Sequence, residues 1–290
     1  MRKSKMQVIV LALCIMTAAI PVRAAAALVE EVIEIPVTVS TIYNQAVSQN
    51  ITVTIWRDDS RAKAPFLVLN HGRPATRAAY PTMGRQRYSA NSAYFVSKGF
   101  VVLIPTRVGY GPSGGTDVEY AGPCAGRLYP PVFKAAAQQT LALLKHAKTL
   151  PYVDTNRGLV VGQSFGGATA IALASMNPEG VIAVVNFSGG SGGNPESSPE
   201  QPCKPELLEK TFADYGRTAK VPTLWLYSEN DRYFGNVFPK KWFEAFAASG
   251  GQASFVEMPP FKNDGHTSFT GNPAVWKPAF EEFIKAVGFQ

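Results

Sequence analysis

Two stretches near the beginning of the chain alternate apolar and polar side chains with a period of two. They cover residues 32–39 and 51–56, and the polar segment 44–50 lies between them. Strict alternation is typical of strands that bury one face and expose the other. The pattern predicts an antiparallel pair of strands with one exposed face at the start of the fold.

The strands that follow are predicted from runs that are mostly apolar and lack a regular polar face. Such runs are typical of strands buried on both faces of a parallel sheet. Because segments with helical spacing alternate with them, we predict an α/β fold, with a mostly parallel sheet of about eight strands and helices on both faces. The predicted strands are residues 65–70, 100–105, 157–161, 181–187, 222–228 and 253–258, and the predicted helices are residues 89–97, 132–149, 168–176, 240–248 and 274–287.

Two long segments show neither pattern and are predicted loops. Residues 108–127 are rich in glycine and proline, and residues 188–205 consist largely of serine, glycine and proline. The second segment is too long for a simple connection, and long loops in compact domains are often functional or mobile.

The hexapeptide Gly-Gln-Ser-Phe-Gly-Gly, residues 162–167, lies between an apolar run and an alanine-rich helical segment. A strand, a G-x-S-x-G turn and a helix in this order form a nucleophile elbow, in which a strained turn exposes the serine hydroxyl at the end of a sheet. Gly162 and Gly166 leave room for the close approach of strand and helix. This context favours Ser164 as a nucleophile over a glycine-rich turn that only connects two elements.

A serine hydroxyl is a weak nucleophile, so it needs a base within hydrogen-bond reach and a third group that orients the base. The chain order that accompanies this elbow is serine, acid, histidine. Of the histidines His71, His146 and His266, only His266 follows Ser164 in the chain. It lies in a loop after the last predicted strand, whereas His146 lies in the middle of a predicted helix. We therefore expect His266 to be the base.

The acid should follow a strand that lies between Ser164 and His266 in the chain. Asp231 satisfies this condition and is the preferred candidate. Glu229 is a competitor because it is close in sequence. Asp264 is too near the histidine to reach its far nitrogen easily.

Acyl transfer also needs donors for the oxyanion that develops in the transition state. The backbone N–H of Phe165, directly after the nucleophile, is one candidate, and the second usually comes from the loop after the third strand. In that loop Arg73 is the best-placed donor, because Pro74 has no N–H. His71 is then a structural histidine. The Arg73 guanidinium could pair with an acid of the site, bind a substrate carboxylate or face solvent.

Aromatic residues near these motifs are candidates for a substrate pocket, because such pockets are largely apolar. They are Tyr110, Tyr233 and Phe234, together with the side chain of Phe165. Each of them could equally belong to the core.

The first residues have the features of an export signal. Basic residues at positions 2, 3 and 5 precede an apolar run over residues 8–20, and small residues follow Arg23. This is the pattern of a secretory signal peptide over residues 1–24, with cleavage after Ala24 or Ala26. A retained N-terminal anchor is the alternative. We expect a periplasmic or secreted protein without a stable membrane anchor.

Charge and cysteine content add two expectations for the mature chain. Residues 1–24 hold four of the 28 basic residues and no acidic residue, so 24 basic and 21 acidic residues remain. No basic block interleaved with aromatic residues remains, so nucleic acid is not an expected partner. Cys124 and Cys203 are expected to form a disulfide in an oxidising compartment, if their Cα atoms come close enough. No cysteine or histidine pattern indicates a metal site.

With these residues in place, the chain resembles the dienelactone-hydrolase-like branch of the α/β-hydrolase superfamily, in its exported bacterial form. The matching motifs extend over nearly the whole mature chain. They are Asn70-His-Gly, Arg107-Val-Gly-Tyr-Gly-Pro-Ser, Gly162-Gln-Ser-Phe-Gly-Gly, Ser228-Glu-Asn-Asp and Gly265-His. The resemblance implies a hydrolase without a cofactor. Named dienelactone hydrolases use a cysteine nucleophile, whereas this chain has Ser164.

The expected protein is a single catalytic domain over residues 25–290 that hydrolyses small-molecule carboxylic esters through an acyl-serine intermediate. Its catalytic residues are Ser164, His266 and Asp231. A serine peptidase of the prolyl-oligopeptidase type that acts on short peptides is one alternative. A non-catalytic binding protein on a hydrolase scaffold is another.

Overall fold

A computed structural model describes residues 27–289 of the chain. The predicted signal peptide and its candidate cleavage sites lie outside the described residues. The eight strands of the described part form one sheet. They are β1 (Leu28–Ser40), β2 (Ala46–Asp58), β3 (Ala64–Asn70), β4 (Val101–Thr106), β5 (Val153–Gln163), β6 (Val181–Phe187), β7 (Thr223–Ser228) and β8 (Ala253–Met258).

The strand order in the sheet is β1-β2-β4-β3-β5-β6-β7-β8. β2 pairs antiparallel with β1 and with β4, and the pairs from β4 to β8 are parallel. The prediction of a mostly parallel sheet with an antiparallel opening pair is confirmed. Because parallel strands end at the same edge, the loops after β3 to β8 meet there, and β5 lies near the middle of that edge.

Helices cover both faces of the sheet. Alternating residues of β3 show the arrangement, since Phe66 and Val68 belong to one hydrophobic core and Leu67 and Leu69 to the other. This is why the central strands read as continuous apolar runs. The helices are α1 (Ser89–Ser97), α2 (Tyr129–Ala147), α3 (Phe165–Met176), α4 (Pro205–Gly216), α5 (Val237–Ala248), α6 (Ser268–Gly271) and α7 (Pro273–Ala286).

The two cores draw on different helices. One contains buried residues of α2, α3, α4 and α5, such as Phe133, Phe212 and Trp242. The other contains buried residues of α1 and α7, such as Phe95 and Trp276. Among residues 27–289, no helix is long and apolar enough to span a membrane.

The expected exposed face of the opening pair is present on β1 and absent from half of β2. The second half of β1 alternates buried and exposed residues, but residues 51–56 of β2 are all buried. Thr54 donates its hydroxyl to the carbonyl oxygen of Gln86 at 2.7 Å, because the segment before α1 covers this face. The prediction was therefore wrong for β2, which is an interior strand between β1 and β4.

Helix α4 was not predicted from the sequence. The predicted loop over residues 188–205 ends where this helix begins, at Pro205. Proline at the first turn, followed by the buried residues Leu208, Thr211 and Phe212 at helical spacing, is the signal that could have located it.

Candidate active site

Ser164 lies on a strained turn between β5 and α3. Its backbone has φ 57° and ψ −124°, a conformation that L-residues other than glycine rarely adopt. A Cβ atom on Gly162 would collide with the carbonyl oxygen of Gly166, and one on Gly166 would collide with the carbonyl oxygen of Asn70. The two glycines therefore permit the close packing of strand, turn and helix that holds Ser164 at the end of the sheet.

The structure brings Ser164, His266 and Asp231 into one chain of hydrogen bonds. The distance from His266 Nε2 to Ser164 Oγ is 2.9 Å, and that from His266 Nδ1 to Asp231 Oδ2 is 2.8 Å. All three side chains are buried or nearly so. In the neutral imidazole, Nδ1–H donates to the carboxylate and Nε2 accepts from the serine hydroxyl. This arrangement can remove a proton from Ser164 and hold it on the ring.

Backbone amides orient the second oxygen of Asp231. Its Oδ1 accepts from the N–H groups of Tyr233 at 2.8 Å and Phe234 at 3.1 Å. The turn that follows β7 therefore fixes the carboxylate with one oxygen toward the histidine. The competitor Glu229 is exposed on the same turn.

Asp264 has a different task in the loop after β8. Its Oδ1 accepts from the backbone N–H groups of Arg232 and His266, each at 3.0 Å. The carboxylate therefore ties the loop that carries His266 to the loop that carries Asp231. The sequence excluded Asp264 as the acid, but these two contacts were missed. The bond to His266 is a local cap of the short helical turn that follows, whereas the bond to Arg232 joins residues 32 positions apart.

The other two histidines lie away from Ser164 Oγ. His71 is fully buried; its Nδ1–H donates to Gly72 O at 2.6 Å, and its Nε2 accepts from the backbone N–H of Arg107 at 3.2 Å. Burial, and then the nearby Arg107 charge, hold the pKa of His71 well below its ordinary value. It is a neutral histidine that shapes the loop after β3. His146 is half-buried near the end of α2.

The two predicted oxyanion donors, Phe165 and Arg73, both line a cavity that Ser164 also lines. Neither of their backbone N–H groups has an acceptor within residues 27–289. Gly72 brings the loop after β3 close to the nucleophile, since a Cβ on it would lie 3.0 Å from Ser164 Cβ. Two unpaired amides next to a nucleophile can bind the oxygen of a tetrahedral intermediate.

The Arg73 side chain pairs with groups of the protein itself. Its Nη1 donates to Glu119 O at 2.7 Å, its Nε donates to Tyr80 Oη at 3.0 Å, and its Nη2 lies 3.7 Å from Asp117 Oδ2. The guanidinium also lies over the Phe165 ring, 4.7 Å from its centroid. Of the three options for this side chain, the structure shows pairing with an acid beside the site.

The cavity above Ser164 has a volume of about 90 Å³. Tyr233 and Phe234 are part of its wall. The Tyr233 ring also stacks on the His266 imidazole, with the ring centroids 4.1 Å apart and the planes 24° apart. These two aromatic residues therefore contact both the space for a substrate and the histidine.

Tyr110 does not line the cavity, so its assignment as a pocket residue was wrong. The side chain is fully buried, and its hydroxyl donates to Glu119 Oε2 at 2.7 Å. The ring packs edge-on against His71, with centroids 5.0 Å apart. Tyr110 belongs to the core beneath the loop after β3, because the hydroxyl has a buried carboxylate to bind there.

A disulfide joins Cys124 and Cys203, whose Cα atoms are 5.3 Å apart. This confirms the predicted pairing and connects the loop after β4 to the loop after β6. Both loops contribute to the cavity wall, the first with Arg127 and the second with residues 190–193. The sequence marked these loops as long and rich in small residues but did not single out those positions.

Within residues 27–289, no group of three or more histidine, cysteine, aspartate or glutamate side chains could hold a metal ion. The polar groups around Ser164 are instead a histidine, a carboxylate and backbone amides. These groups can carry out nucleophilic attack with acid–base catalysis.

The chain is similar to several known proteins. The quorum-quenching protein AidA of Acinetobacter baumannii is 26% identical over 132 residues, which are 46% of this chain and 38% of AidA. The acylaminoacyl peptidase of Pyrococcus horikoshii has a TM-score of 0.56 at 13% identity, over 88% of this chain and 41% of the peptidase. This chain thus matches less than half the length of both proteins.

An acetyl xylan esterase from Paenibacillus sp. R4 is similar over most of its length, with a TM-score of 0.58 and 17% identity over 90% of this chain and 89% of the esterase. At such low identity the likeness shows a shared α/β-hydrolase fold. The sequence profile of the dienelactone hydrolase family matches residues 84–272, which are more than half of the chain and include Ser164, Asp231 and His266. The chain therefore belongs to the dienelactone hydrolase family.

Proposed function

We propose that this protein is a serine esterase that hydrolyses carboxylic esters of small molecules through an acyl-Ser164 intermediate. The observation that carries the proposal is the hydrogen-bond chain from Ser164 through His266 to Asp231, at 2.9 Å and 2.8 Å. A serine alone would be too weak a nucleophile. In this hydrogen-bond chain His266 is the base and Asp231 is the acid that orients it.

In the first half of the reaction, His266 Nε2 takes the hydroxyl proton as Ser164 Oγ attacks the ester carbonyl. The carbonyl oxygen becomes an oxyanion, and the N–H groups of Phe165 and Arg73 donate to it. When the tetrahedral intermediate collapses, the C–O bond to the alcohol breaks and His266 returns the proton to the leaving oxygen. The product is an ester of Ser164 and a free alcohol.

In the second half, water enters and His266 takes one of its protons. The resulting attack releases the carboxylic acid and regenerates the serine hydroxyl. Asp231 keeps the Nδ1–H tautomer in place and stabilises the imidazolium that forms in each half. The amides of Tyr233 and Phe234 hold that carboxylate throughout.

The size of the cavity supports esters with a short acyl group. Its volume of about 90 Å³ is well below that of pockets for drug-sized ligands, roughly 300–1,000 Å³. The rings of Phe165, Tyr233 and Phe234 take up part of the space next to Ser164. The acetyl xylan esterase with the same fold makes acetyl esters a reasonable first class to test.

A peptidase that acts on short peptides is the second candidate, because the acylaminoacyl peptidase shares the fold. The same chemistry would then release an amine, which leaves less readily than an alcohol and needs its proton from His266. A panel of peptide p-nitroanilides separates the two reactions. Labelling of Ser164 by a fluorophosphonate separates both from a non-catalytic binding protein.

Export to the periplasm or to the exterior is part of the proposal. The Cys124–Cys203 disulfide supports it, because disulfides persist in oxidising compartments. The composition of residues 1–24 supports it as well.

The test is hydrolysis of p-nitrophenyl esters from acetate to octanoate by the wild type, by Ser164→Ala and by Ser60→Ala. Ser60 is an exposed residue between β2 and β3, so its variant controls for the loss of a hydroxyl. We expect activity greatest on the shortest esters and a loss of about 10⁵–10⁶ in kcat for Ser164→Ala alone. Equal turnover by wild type and Ser164→Ala would refute the proposal.

A further inference from the structure

A buried ion pair lies beneath the loop after β3, outside the cavity wall. Arg107 follows β4, and its Nε donates to Glu119 Oε1 at 2.6 Å, while Nη2 donates to Glu119 Oε2 at 3.3 Å. Both side chains have 0% exposure, and the Tyr110 hydroxyl adds a third hydrogen bond to the carboxylate. Burial of two charges is costly unless nearly every hydrogen-bonding group is satisfied. Because a buried ion pair is weak evidence for added stability, we ask what else its contacts hold in place.

Arg107 holds the loop after β3 by two contacts to one residue. Its Nη1 donates to His71 O at 2.9 Å, and its backbone N–H donates to His71 Nε2 at 3.2 Å. His71 in turn donates from Nδ1 to Gly72 O at 2.6 Å. Glu119 keeps the guanidinium in the one orientation in which Nη1 meets the carbonyl. The backbone from His71 to Gly72 is thus fixed directly before the Arg73 amide.

The segment that carries Glu119 also holds Arg73 itself. The Glu119 carbonyl oxygen accepts from Arg73 Nη1 at 2.7 Å. The Phe165 ring lies against both guanidinium groups, 4.7 Å from that of Arg73 and 5.6 Å from that of Arg107. The residues that supply the two candidate oxyanion donors, Phe165 and Arg73, therefore rest on the same buried cluster.

We propose that Arg107 and Glu119 are positioning residues that aim the Arg73 amide at the oxyanion. This inference rests on the proposed esterase function. Neither side chain lines the cavity, so they act through the residues that they contact, chiefly the loop after β3. A misplacement of about 1 Å in a catalytic group can cost on the order of 100-fold in rate, and loss of one oxyanion donor costs about 10²–10³ in kcat. A buried cluster held by several hydrogen bonds prevents such a shift.

The test is Arg107→Lys, which keeps the positive charge but cannot span Glu119 and the His71 carbonyl together. Arg57→Lys is the matched control. Arg57 lies near the end of β2 and pairs with Glu31 of β1 at 2.7 Å. This end of β2 lies beside the start of β4, so the pair is at the opposite edge of the sheet from Ser164. Three quantities are measured for each variant on p-nitrophenyl acetate: kcat, KM and the Ki of a trifluoromethyl ketone, whose hemiketal with Ser164 places an oxyanion in the same position.

For Arg107→Lys we expect kcat to fall by about ten-fold or more, and Ki to rise by the same factor, with KM little changed. Arg57→Lys should change none of the three. Unaltered kcat and Ki in folded Arg107→Lys would overturn the positioning role. If that variant does not fold, Tyr110→Phe decides, because it retains the ion pair and removes only the hydroxyl that anchors Glu119. Tyr110→Phe should lower kcat and raise the Ki of the ketone by the same factor. No change in either quantity would overturn the inference.

Failure of the proposed function would look different. A wild-type protein that hydrolyses no ester and is not labelled by a fluorophosphonate would refute the esterase, and the positioning role with it. An active wild type with unaffected variants would refute the positioning role alone.

Discussion

Two buried carboxylates lie on opposite sides of β5, the strand that ends directly before Ser164. Asp231 follows β7 and Glu119 lies in the loop after β4, and in the sheet β7 and β4 are each two positions from β5. Each carboxylate has a histidine in its cluster, His266 in one and His71 in the other. The two clusters therefore have similar parts and can be compared group by group.

The difference between them is the partner of the carboxylate. Asp231 faces an imidazole whose other nitrogen meets Ser164 Oγ, so a proton can move to the ring and the resulting charge is stabilised. Glu119 faces Arg107, whose charge is permanent, and His71 is held neutral between backbone groups. One cluster is suited to moving a proton and the other to keeping a loop still. A buried acid with a nearby histidine is thus not sufficient evidence for a catalytic pair.

Among the changes that test this comparison, Asp231→Asn has the largest expected effect. The backbone amides of Tyr233 and Phe234 need an acceptor, so the oxygen of the new side-chain amide would face them and its NH₂ group would face His266 Nδ1. This imposes the wrong tautomer on the imidazole, and we expect kcat to fall by about 10⁴, or roughly 5.5 kcal/mol in activation free energy.

The matched control for that variant is Asp214→Asn, which removes the charge of an exposed carboxylate paired with Arg217. It should leave kcat unchanged. Steady-state kinetics on p-nitrophenyl acetate provide the measurement. If Asp231→Asn retained wild-type kcat, the proton-moving role of this cluster would be wrong.

The next effect concerns the disulfide, which connects the loop after β4, where Glu119 lies, to the loop after β6. The bond closes a segment with a sequence separation of 79, and its removal in Cys124→Ser/Cys203→Ser should lower the free energy of unfolding by about 2–5 kcal/mol. Cys203 N–H donates to Gly192 O at 3.0 Å, so the cavity wall should also loosen and KM should rise more than kcat falls. Urea denaturation and ester kinetics check both, with chemically reduced wild type as a second sample. Unchanged stability would contradict the expectation.

The smallest effect is the contribution of His71 to the pH dependence of stability. The pKa of His71 is below its ordinary value of 6.5 because the ring is buried beside Arg107. As the pH falls below about 6.5, the unfolded chain binds a proton there before the folded chain does, so stability is lost in this direction, at most about 1.4 kcal/mol per pH unit. His71→Gln should remove that part of the slope between pH 6.5 and the lower pKa. Urea denaturation at several pH values measures the slope. An unchanged slope would contradict the expectation, because it would show that folding does not lower the pKa of His71.

The sequence predicted the helices and strands that have strong local patterns. Helix α1 and strands β6 and β8 have the predicted bounds, and the elbow around Ser164 has the expected strand, turn and helix. Helix α4 was missed because it directly follows a segment of low complexity whose composition is typical of a loop. The exposed face expected on β2 was wrong because burial of a strand depends on its neighbours in the sheet.

For the candidate site, the order of Ser164, Asp231 and His266 along the chain was sufficient to select them. The structure adds the distances among them, the role of Asp264 and the walls around the nucleophile. The position of Tyr110 depends on the tertiary structure. An aromatic residue in a glycine-rich loop can face a pocket or the core, and only the position of Glu119 decides between them.

The sequence by itself determined the class of fold, the elbow and the candidate nucleophile, base and acid, because periodicity and short motifs act over a few neighbouring residues. The tertiary structure decided which loops meet above the sheet. The contact between Arg107 and His71, the cavity wall from residues 190–193 and the pairing of Cys124 with Cys203 all join segments that are far apart in the chain. Such contacts depend on the order of strands in the sheet and on packing in three dimensions, which no local pattern records.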